Sequence, residues 1–520
     1  MVTASTSPAL SPDGGQTASK PGTSLRSALA AIVQHGGMYS LAVSVRRFSG
    51  LLLLPIYTRY LTPTNYGVME LLDLTCAVAT LLLGMRLADA MLYHYFNATA
   101  GKPRNAVLTT ALLGSLGIGS VAAAAGWFAA PAISVMVFTS AQYANYLRLM
   151  FLSVGLTLPQ SLGYAYVRAQ NRSGLFFVIS VCKLGFQVAL ILWLLVMRGM
   201  GVGAMVWGAL IAYAVEALLS CWYILYSTGT LRVSFDWPMF KKLSSYGAPL
   251  AIGSIGMLIL HFGDRYVLSR YVSLSQIGIY ALGYKLGMLV AYVQEAFTQY
   301  WNAQMFSLLQ GYNSEKLYVR ISTYYTVSLL FVGLVLSLFS RPLLELVVTP
   351  PYYPAAAFVP VIALAYILRG TGDYWRTVLL VEKRTGLDTA VVLCGVAVCL
   401  VLYLTLIPRM GAWGAAFATL AAFGAMVPLS LWWAQRIRRH AFEWKRIGLA
   451  AGWAGILYAA GQFLIVHRLG PAMLLASLFC LAFPAVLLAS GFLHEDEVVA
   501  GRAIWIEIRR RASTYLPRIG

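Results

Sequence analysis

Charge is scarce in this sequence. Only 11% of its 520 residues are Asp, Glu, Lys or Arg, and acidic side chains number 18 against 38 basic ones. With 59% hydrophobic residues and a mean hydropathy of +0.73, the chain is too apolar for a soluble globular protein and belongs in a membrane. Long polar stretches are missing as well, which excludes a sizeable soluble domain. The cysteines, Cys76, Cys182, Cys221, Cys394, Cys399 and Cys480, all fall in apolar runs without CxxC spacing. That pattern argues for packing roles and against a metal site. No G-x-x-x-x-G-K-[ST] loop occurs, so ATP hydrolysis through that motif is excluded. Residues 1–35 have no short apolar core of a secretion signal. Rich in Ser, Thr, Pro, Gly and Ala, they read as a disordered cytoplasmic tail.

What the chain does have is apolar runs long enough to cross a bilayer, each needing about 20 residues. Fourteen are expected: 38–60, 67–96, 105–127, 143–168, 174–197, 202–227, 246–269, 276–308, 318–340, 355–380, 386–407, 411–435, 447–466 and 470–493. The fold class is therefore an all-α polytopic membrane protein. Lys and Arg concentrate in alternate connections, and only Arg59, Arg198, Arg270, Arg341, Arg409 and Arg468 fall on the opposite side. By the positive-inside rule both termini are expected in the cytoplasm. The same asymmetry accounts for most of the net charge of +20, which needs no nucleic-acid partner. Residues 494–520 alternate acidic and basic side chains with Ile504, Trp505 and Ile506, as expected of an amphipathic cytoplasmic tail.

The chain repeats itself. RYLTPTNYGVM at 59–69 returns as RYVSLSQIGIY at 270–280, an offset of 211. NRSGL at 171–175 returns as KRTGL at 383–387, and Arg198, Gly203 and Ala204 return as Arg409, Gly414 and Ala415. A shared offset defines a six-helix unit used twice. Because six is even, the copies have the same orientation, as in parallel-repeat transporters with a central site. The expected organisation is an N-lobe at 36–227, a C-lobe at 228–440 and an appended helix pair at 441–493.

A basic side chain at mid-membrane costs roughly 2.5–3.5 kcal/mol on insertion scales, so it usually faces a bundle interior or wet cavity. Arg46, Arg47, Arg86, Arg148, Lys183, Arg265, Lys285, Arg369 and Arg376 all fall within the expected spans. Arg148 lies near a helix end and can snorkel. Arg86 and Asp89 are three residues apart, and Arg369, Asp373 and Arg376 share a helix face, so ion pairing competes with function there. Arg46 and Lys285 have no acid one turn away. Asp264 adjoins Arg265 but is expected to point elsewhere on the helix. The candidate cationic cavity comprises Arg46, Arg47, Arg86, Arg265, Lys285, Arg369 and Arg376, with Arg47 turned 100° from Arg46. Guanidinium groups grip phosphate oxygens in bidentate fashion, so a pyrophosphate is the anion such a cluster suits. The 31 Tyr and 13 Trp provide stacking surfaces for sugars, although rings such as Tyr352 and Tyr353 more simply form interfacial belts. Asp89, Asp264, Glu295 and Asp373 are candidates for H+ or Na+ coupling. No other cofactor is expected.

The stretch LLLLPIYTRYLTPTNYGVMELL resembles the Wzx-type polysaccharide flippases of the multidrug/oligosaccharidyl-lipid/polysaccharide exporter superfamily. DRYVLSRYVSLSQIGIYALGYKLG at 264–287 is similar to that family's seventh and eighth helices, and GAWGAAFAT at 411–419 to its twelfth. The resemblance runs from about 38 to 440. It implies twelve core helices in two lobes, alternating access, and a lateral opening. Through that opening a polyprenyl tail stays in lipid while a diphosphate-sugar head crosses a cationic cavity. The function implied is flipping of an undecaprenyl-diphosphate-linked oligosaccharide across a bacterial inner membrane, beside a polysaccharide polymerase and other biosynthesis proteins. The long N-terminal tail is atypical of the family. The alternative is a cation-coupled multidrug antiporter of the related branch, which should present carboxylates to its cavity. A membrane glycosyltransferase should display acids on large outer loops, but the longest expected one, 128–142, has no charged residue.

Overall fold

A computed structural model describes residues 50, 53–98, 102–228, 234–308, 314–464, 469–494 and 497. Every regular element among the described residues is helical, and 11 helical segments are long and apolar enough to cross a membrane. In chain order the helices are α1 (Leu54–Tyr60), α2 (Pro63–Gly84), α3 (Leu87–Asn97), α4 (Lys102–Phe138), α5 (Ala144–Ala169) and α6 (Ser173–Leu192). There follow α7 (Val202–Thr228), α8 (Trp237–Phe262), α9 (Asp264–Tyr271), α10 (Leu274–Gly287), α11 (Leu289–Leu308) and α12 (Ser314–Val347). The last are α13 (Val359–Val381), α14 (Thr385–Met410), α15 (Ala412–Ile437), α16 (Trp444–Phe463) and α17 (Leu469–Ala489).

Three expected spans are broken helices. The second divides into α2 and α3 at Met85 and Arg86, both left-handed at φ 45°. The seventh divides at Gly263 and the eighth at Met288, and a 3-10 turn, Pro350–Phe358, leads into α13. The expected outer loop 128–142 is helical as far as Phe138. Apolar Ala and Val side chains let α4 run on where the absence of charge suggested a loop. Segments 143–168 and 447–466 form helices but fall short of the measure of length and hydropathy that the 11 satisfy. The first expected span, with Arg46 and Arg47, lies outside the described residues apart from Gly50 and 53–60. So do the tail 1–35 and most of 494–520.

Local geometry recurs at the repeat's offsets. Thr62 caps α2 by accepting from the Asn65 amide, and Ser273 caps α10 by accepting from the Gln276 amide. Each cap satisfies one of the orphan N–H groups of a first helical turn. Asn171 and Lys383 are both left-handed, at φ 55° and 56°. Beside them the Arg172 amide donates to the Val167 carbonyl and the Arg384 amide to the Leu379 carbonyl. A left-handed residue closes a helix by turning late amides back onto its orphan carbonyls, so both copies stop α5 and α13 in the same way.

The two halves meet where α2 packs on α10. At that end Thr349 Oγ1 donates to the Thr58 carbonyl (2.9 Å), Tyr352 OH to the Leu61 carbonyl (3.0 Å) and Arg270 Nη2 to the Met136 carbonyl (2.7 Å). The appended helices α16 and α17 pack on α12. Arg446 fixes one end of them: Nη1 lies 2.7 Å from Glu443 Oε2, Nη2 lies 2.8 Å from Glu497 Oε2, and Thr323 Oγ1 of α12 donates to the same Glu443 oxygen (2.7 Å).

Candidate translocation cavity

The break between α2 and α3 borders a large opening among the described residues. Two successive left-handed residues are strained for L-amino acids, and they turn the chain so that Arg86 starts a new helix rather than continuing α2. Gly247 of α8 packs over the break, and a Cβ there would lie 2.0 Å from the Met85 carbonyl oxygen. Only a glycine permits this approach. The Arg86 guanidinium is held by Asp89 (Nε to Oδ2, 2.7 Å) and donates through Nη1 to Ser254 Oγ of α8 (3.1 Å), yet stays about two-fifths exposed.

The opening is a cavity of about 890 Å³ lined by α2, α3, α5, α6, α7 and the α10–α11 junction. Its charged lining residues are Asp73, Arg86, Asp89 and Lys285, with Tyr57 and Tyr66 beside them. Lys285 comes from the second half and pairs directly with Glu70 of α2, and its Nζ also donates to Tyr66 OH (3.2 Å). Glu70 is buried while Lys285 remains a third exposed. Asp73 stands one turn beyond Glu70, faces the cavity, and has no hydrogen-bond or ion-pair partner among the described residues.

The expected cationic cluster divides. Arg86, Asp89 and Lys285 share this cavity. Arg265, Arg369, Arg376, Asp264, Asp373 and Glu295 are not among its lining residues, and Arg46 and Arg47 lie outside the described ones. Arg265 is not the unpaired charge expected. Its Nη1 lies 2.8 Å from Asp264 Oδ1, both side chains are buried, and the guanidinium sits 4.5 Å from the Tyr284 ring centre. The helix break at Gly263 makes Asp264 a first-turn residue, and the long Arg265 side chain folds back to it. Tyr280 OH donates to the other Asp264 oxygen. Arg369 lies 3.4 Å and Arg376 2.5 Å from Asp373, and Arg376 also holds Asp388 at 2.9 Å. Glu295 is exposed on α11.

Lys183, another basic residue of the expected spans, is neutralised by Glu216 at 3.0 Å. Sequence reasoning missed Glu70 and Asp73. Their signal was available in YGVMELLDL, two acids one turn apart in an apolar run. The partner of Lys285 was invisible because it comes from 215 positions away.

This all-helical polytopic membrane fold, with basic side chains from both halves facing one inner cavity, is shared with solved transporters of the MOP superfamily. It matches the lipid II flippase MurJ in an inward closed conformation, with TM-score 0.66 and 15% identity over 87% of this chain and 99% of that one. An inward-facing multidrug resistance MATE transporter matches with TM-score 0.60 and 15% identity over 78% and 96%. A superfamily transporter from Pyrococcus furiosus, described as having a binding pocket of reversed polarity, matches with TM-score 0.52 and 14% identity over 81% and 96%. In sequence, an uncharacterized membrane protein of Methanocaldococcus jannaschii is 21% identical over 41% of this chain and 42% of its own length. Residues 56–357, more than half of the chain, match the polysaccharide biosynthesis protein family, and the chain belongs to that family.

Proposed function

We propose that the chain flips an undecaprenyl-diphosphate-linked oligosaccharide from the cytoplasmic to the periplasmic leaflet of a bacterial inner membrane. Both termini are cytoplasmic, the movement is alternating access between lobes 36–227 and 228–440, and the product feeds an exopolysaccharide or O-antigen polymerase. The observation that carries this reading is that Arg86 of one half and Lys285 of the other face one cavity. A diphosphate bound between them competes with Asp89 for Arg86 and with Glu70 for Lys285, so it draws donors from both halves and its passage is coupled to their relative movement. With the amino terminus inside, the Pro63 and Leu274 helix starts lie on the periplasmic side. The hydrogen bonds of Arg270, Thr349 and Tyr352 then close that face.

The test is flipping of a fluorescent undecaprenyl-diphosphate oligosaccharide in proteoliposomes. Arg86→Ala and Lys285→Ala should each slow it by about tenfold or more, the loss of a charge-assisted bond of roughly 1.5–3 kcal/mol. Unchanged rates in both variants would sink the proposal. A second reading, antiport of organic cations, draws support from Asp73 and Asp89 in the same cavity lining. Proton-driven uptake of ethidium into the same vesicles, abolished by Asp73→Asn, would favour it.

A further inference from the structure

A side chamber of about 560 Å³ adjoins the cavity. Tyr57, Thr80, Thr157, Ser161, Gln187 and Tyr213 line both spaces, so the two share a wall of side chains. The chemistry changes from one to the other. Where the cavity presents Asp73, Arg86, Asp89 and Lys285, the chamber adds Gln160, Tyr164 and Lys183. Its one charged lining residue among the described residues is already neutralised: Lys183 Nζ lies 3.0 Å from Glu216 Oε2 and 4.5 Å from the Tyr213 ring centre.

The carboxamides are the informative groups. Gln160 is 7% exposed, faces the chamber and has no hydrogen-bond partner among the described residues, and Gln187 likewise has none. Gln187 is half-buried and the polar atoms of neither residue are sealed from the chamber, so both carboxamides are free to bond a ligand or ordered water there. Each offers donors and acceptors together, which is the pattern presented by sugar hydroxyls and acetamido groups. Thr157 and Ser161 spend their hydroxyl protons on the Val154 and Leu158 carbonyls and turn acceptor lone pairs to the space. The volume falls in the range of about 300–1,000 Å³ that encloses drug-sized ligands, the size of a short oligosaccharide.

We infer that this chamber is a specificity subsite for the first sugars of the transported head, and that it selects uncharged hydroxylated or N-acetylated rings over uronic acids. The inference rests on the flippase reading and adds to it the class of sugar. The diphosphate lies at Arg86 and Lys285, and the attached sugar reaches past Tyr57 and Gln187 to Gln160. A uronate entering would bury its carboxylate beside a lysine already committed to Glu216, without a further cation among the described lining residues in return.

Native mass spectrometry of the full chain in detergent tests this. The probes are undecaprenyl diphosphate and the same lipid carrying N-acetylglucosamine, galactose or glucuronate. At least one neutral-sugar lipid should bind about tenfold tighter than the bare diphosphate, as expected when one or two buried hydrogen bonds are gained. The glucuronate lipid should gain nothing. Gln160→Leu and Gln187→Leu keep the volume but lose the polar atoms. Each should cut the neutral-sugar preference to about twofold or less while leaving bare-lipid affinity, and hence the fold, unchanged. A wild-type chain that binds all four lipids equally, prefers glucuronate, or keeps its preference in both variants overturns the inference and leaves the flippase reading standing. Failure to bind even the bare diphosphate overturns both.

Discussion

Gly67 and Gly278, equivalent positions of the two copies, lie back to back. A Cβ on Gly67 would sit 1.9 Å from the Leu274 carbonyl oxygen, and one on Gly278 would sit 2.1 Å from the Pro63 carbonyl oxygen. Leu274 is itself the equivalent of Pro63. Residue i touching j of the other copy, and j touching i, is the signature of a two-fold contact, here within one chain.

Gly67→Ala and Gly278→Ala should therefore each force α2 and α10 apart. Overpacking of this kind costs typically 1–3 kcal/mol, and because the clash is with backbone, no side-chain rotation relieves it. The expected result is a lower melting temperature in detergent for either variant. Labelling of a cysteine placed at Asn65 should rise as that face opens. Unaltered stability and labelling in both variants would show that the helices do not meet as described.

Lys285 and Glu70 invite a double-mutant cycle. Lys285→Met alone leaves the buried Glu70 carboxylate without its cation and should destabilise the chain by about 1–3 kcal/mol. This is less than for a fully buried pair, because Lys285 is partly open to the cavity. Adding Glu70→Gln should restore most of that stability. Flipping should stay low in the double variant, because the lysine's role toward an anion is not replaced. Recovery of transport together with stability would make the pair purely structural.

Much of the helical framework was legible in the sequence, because long apolar runs report directly on which segments are helices able to cross a bilayer. The matched positions Gly67/Gly278 and Asn171/Lys383 stood out in the sequence because they occupy backbone situations that few residues tolerate. The helix break at Met85 and Arg86 was not, since neither residue favours a left-handed conformation and the cause is tertiary, with α8 closing over it. The charge pairing was legible only within one helix turn. Arg86 with Asp89 and Arg376 with Asp373 could be read by spacing, whereas Lys285 with Glu70 and Lys183 with Glu216 depend on which helices pack. Gln160 and Gln187 carry no charge to betray them, and only the shape of the chamber brings them together.

Arg446 should hold the appended helices to the second half. Arg446→Met removes the cation shared by Glu443 and Glu497, both of them largely buried, and should cost about 3 kcal/mol. Limited proteolysis should then cut near 494–497 faster than in the wild type. Burial works to raise the Glu497 carboxyl, but the His494 amide and the Arg446 guanidinium outweigh it and hold it below the ordinary carboxylate range. A carboxyl lowered in the folded state stabilises above its unfolded pKa, and that contribution disappears as pH falls through the lower, folded value. Wild-type protection should accordingly weaken only on acidification below the usual carboxylate range. Protection that is constant with pH and unchanged in Arg446→Met would remove the cluster from this role.

Transport should run on the membrane potential without ATP. A diphosphate diester head carries about two negative charges, and each charge moved outward across an inside-negative membrane gains roughly 2.3 kcal/mol per 100 mV. That gain is enough to bias the direction of the head's movement without a coupling ion. Any additional proton or sodium coupling falls to carboxylates that the cavity can reach. Asp73 lines it without a partner among the described residues, and Asp89 lines it already committed to Arg86. Asp264 and Asp373 are bound to arginines away from the cavity lining, and Glu295 is absent from that lining. In proteoliposomes, flipping should accelerate with an imposed inside-negative potential. If a pH or sodium gradient adds to the rate, Asp73→Asn should abolish that increment while Glu295→Gln leaves it intact. Flipping that ignores potential and both gradients but requires ATP would overturn this account of the driving force. A gradient effect surviving Asp73→Asn would exclude that carboxylate as the coupling site.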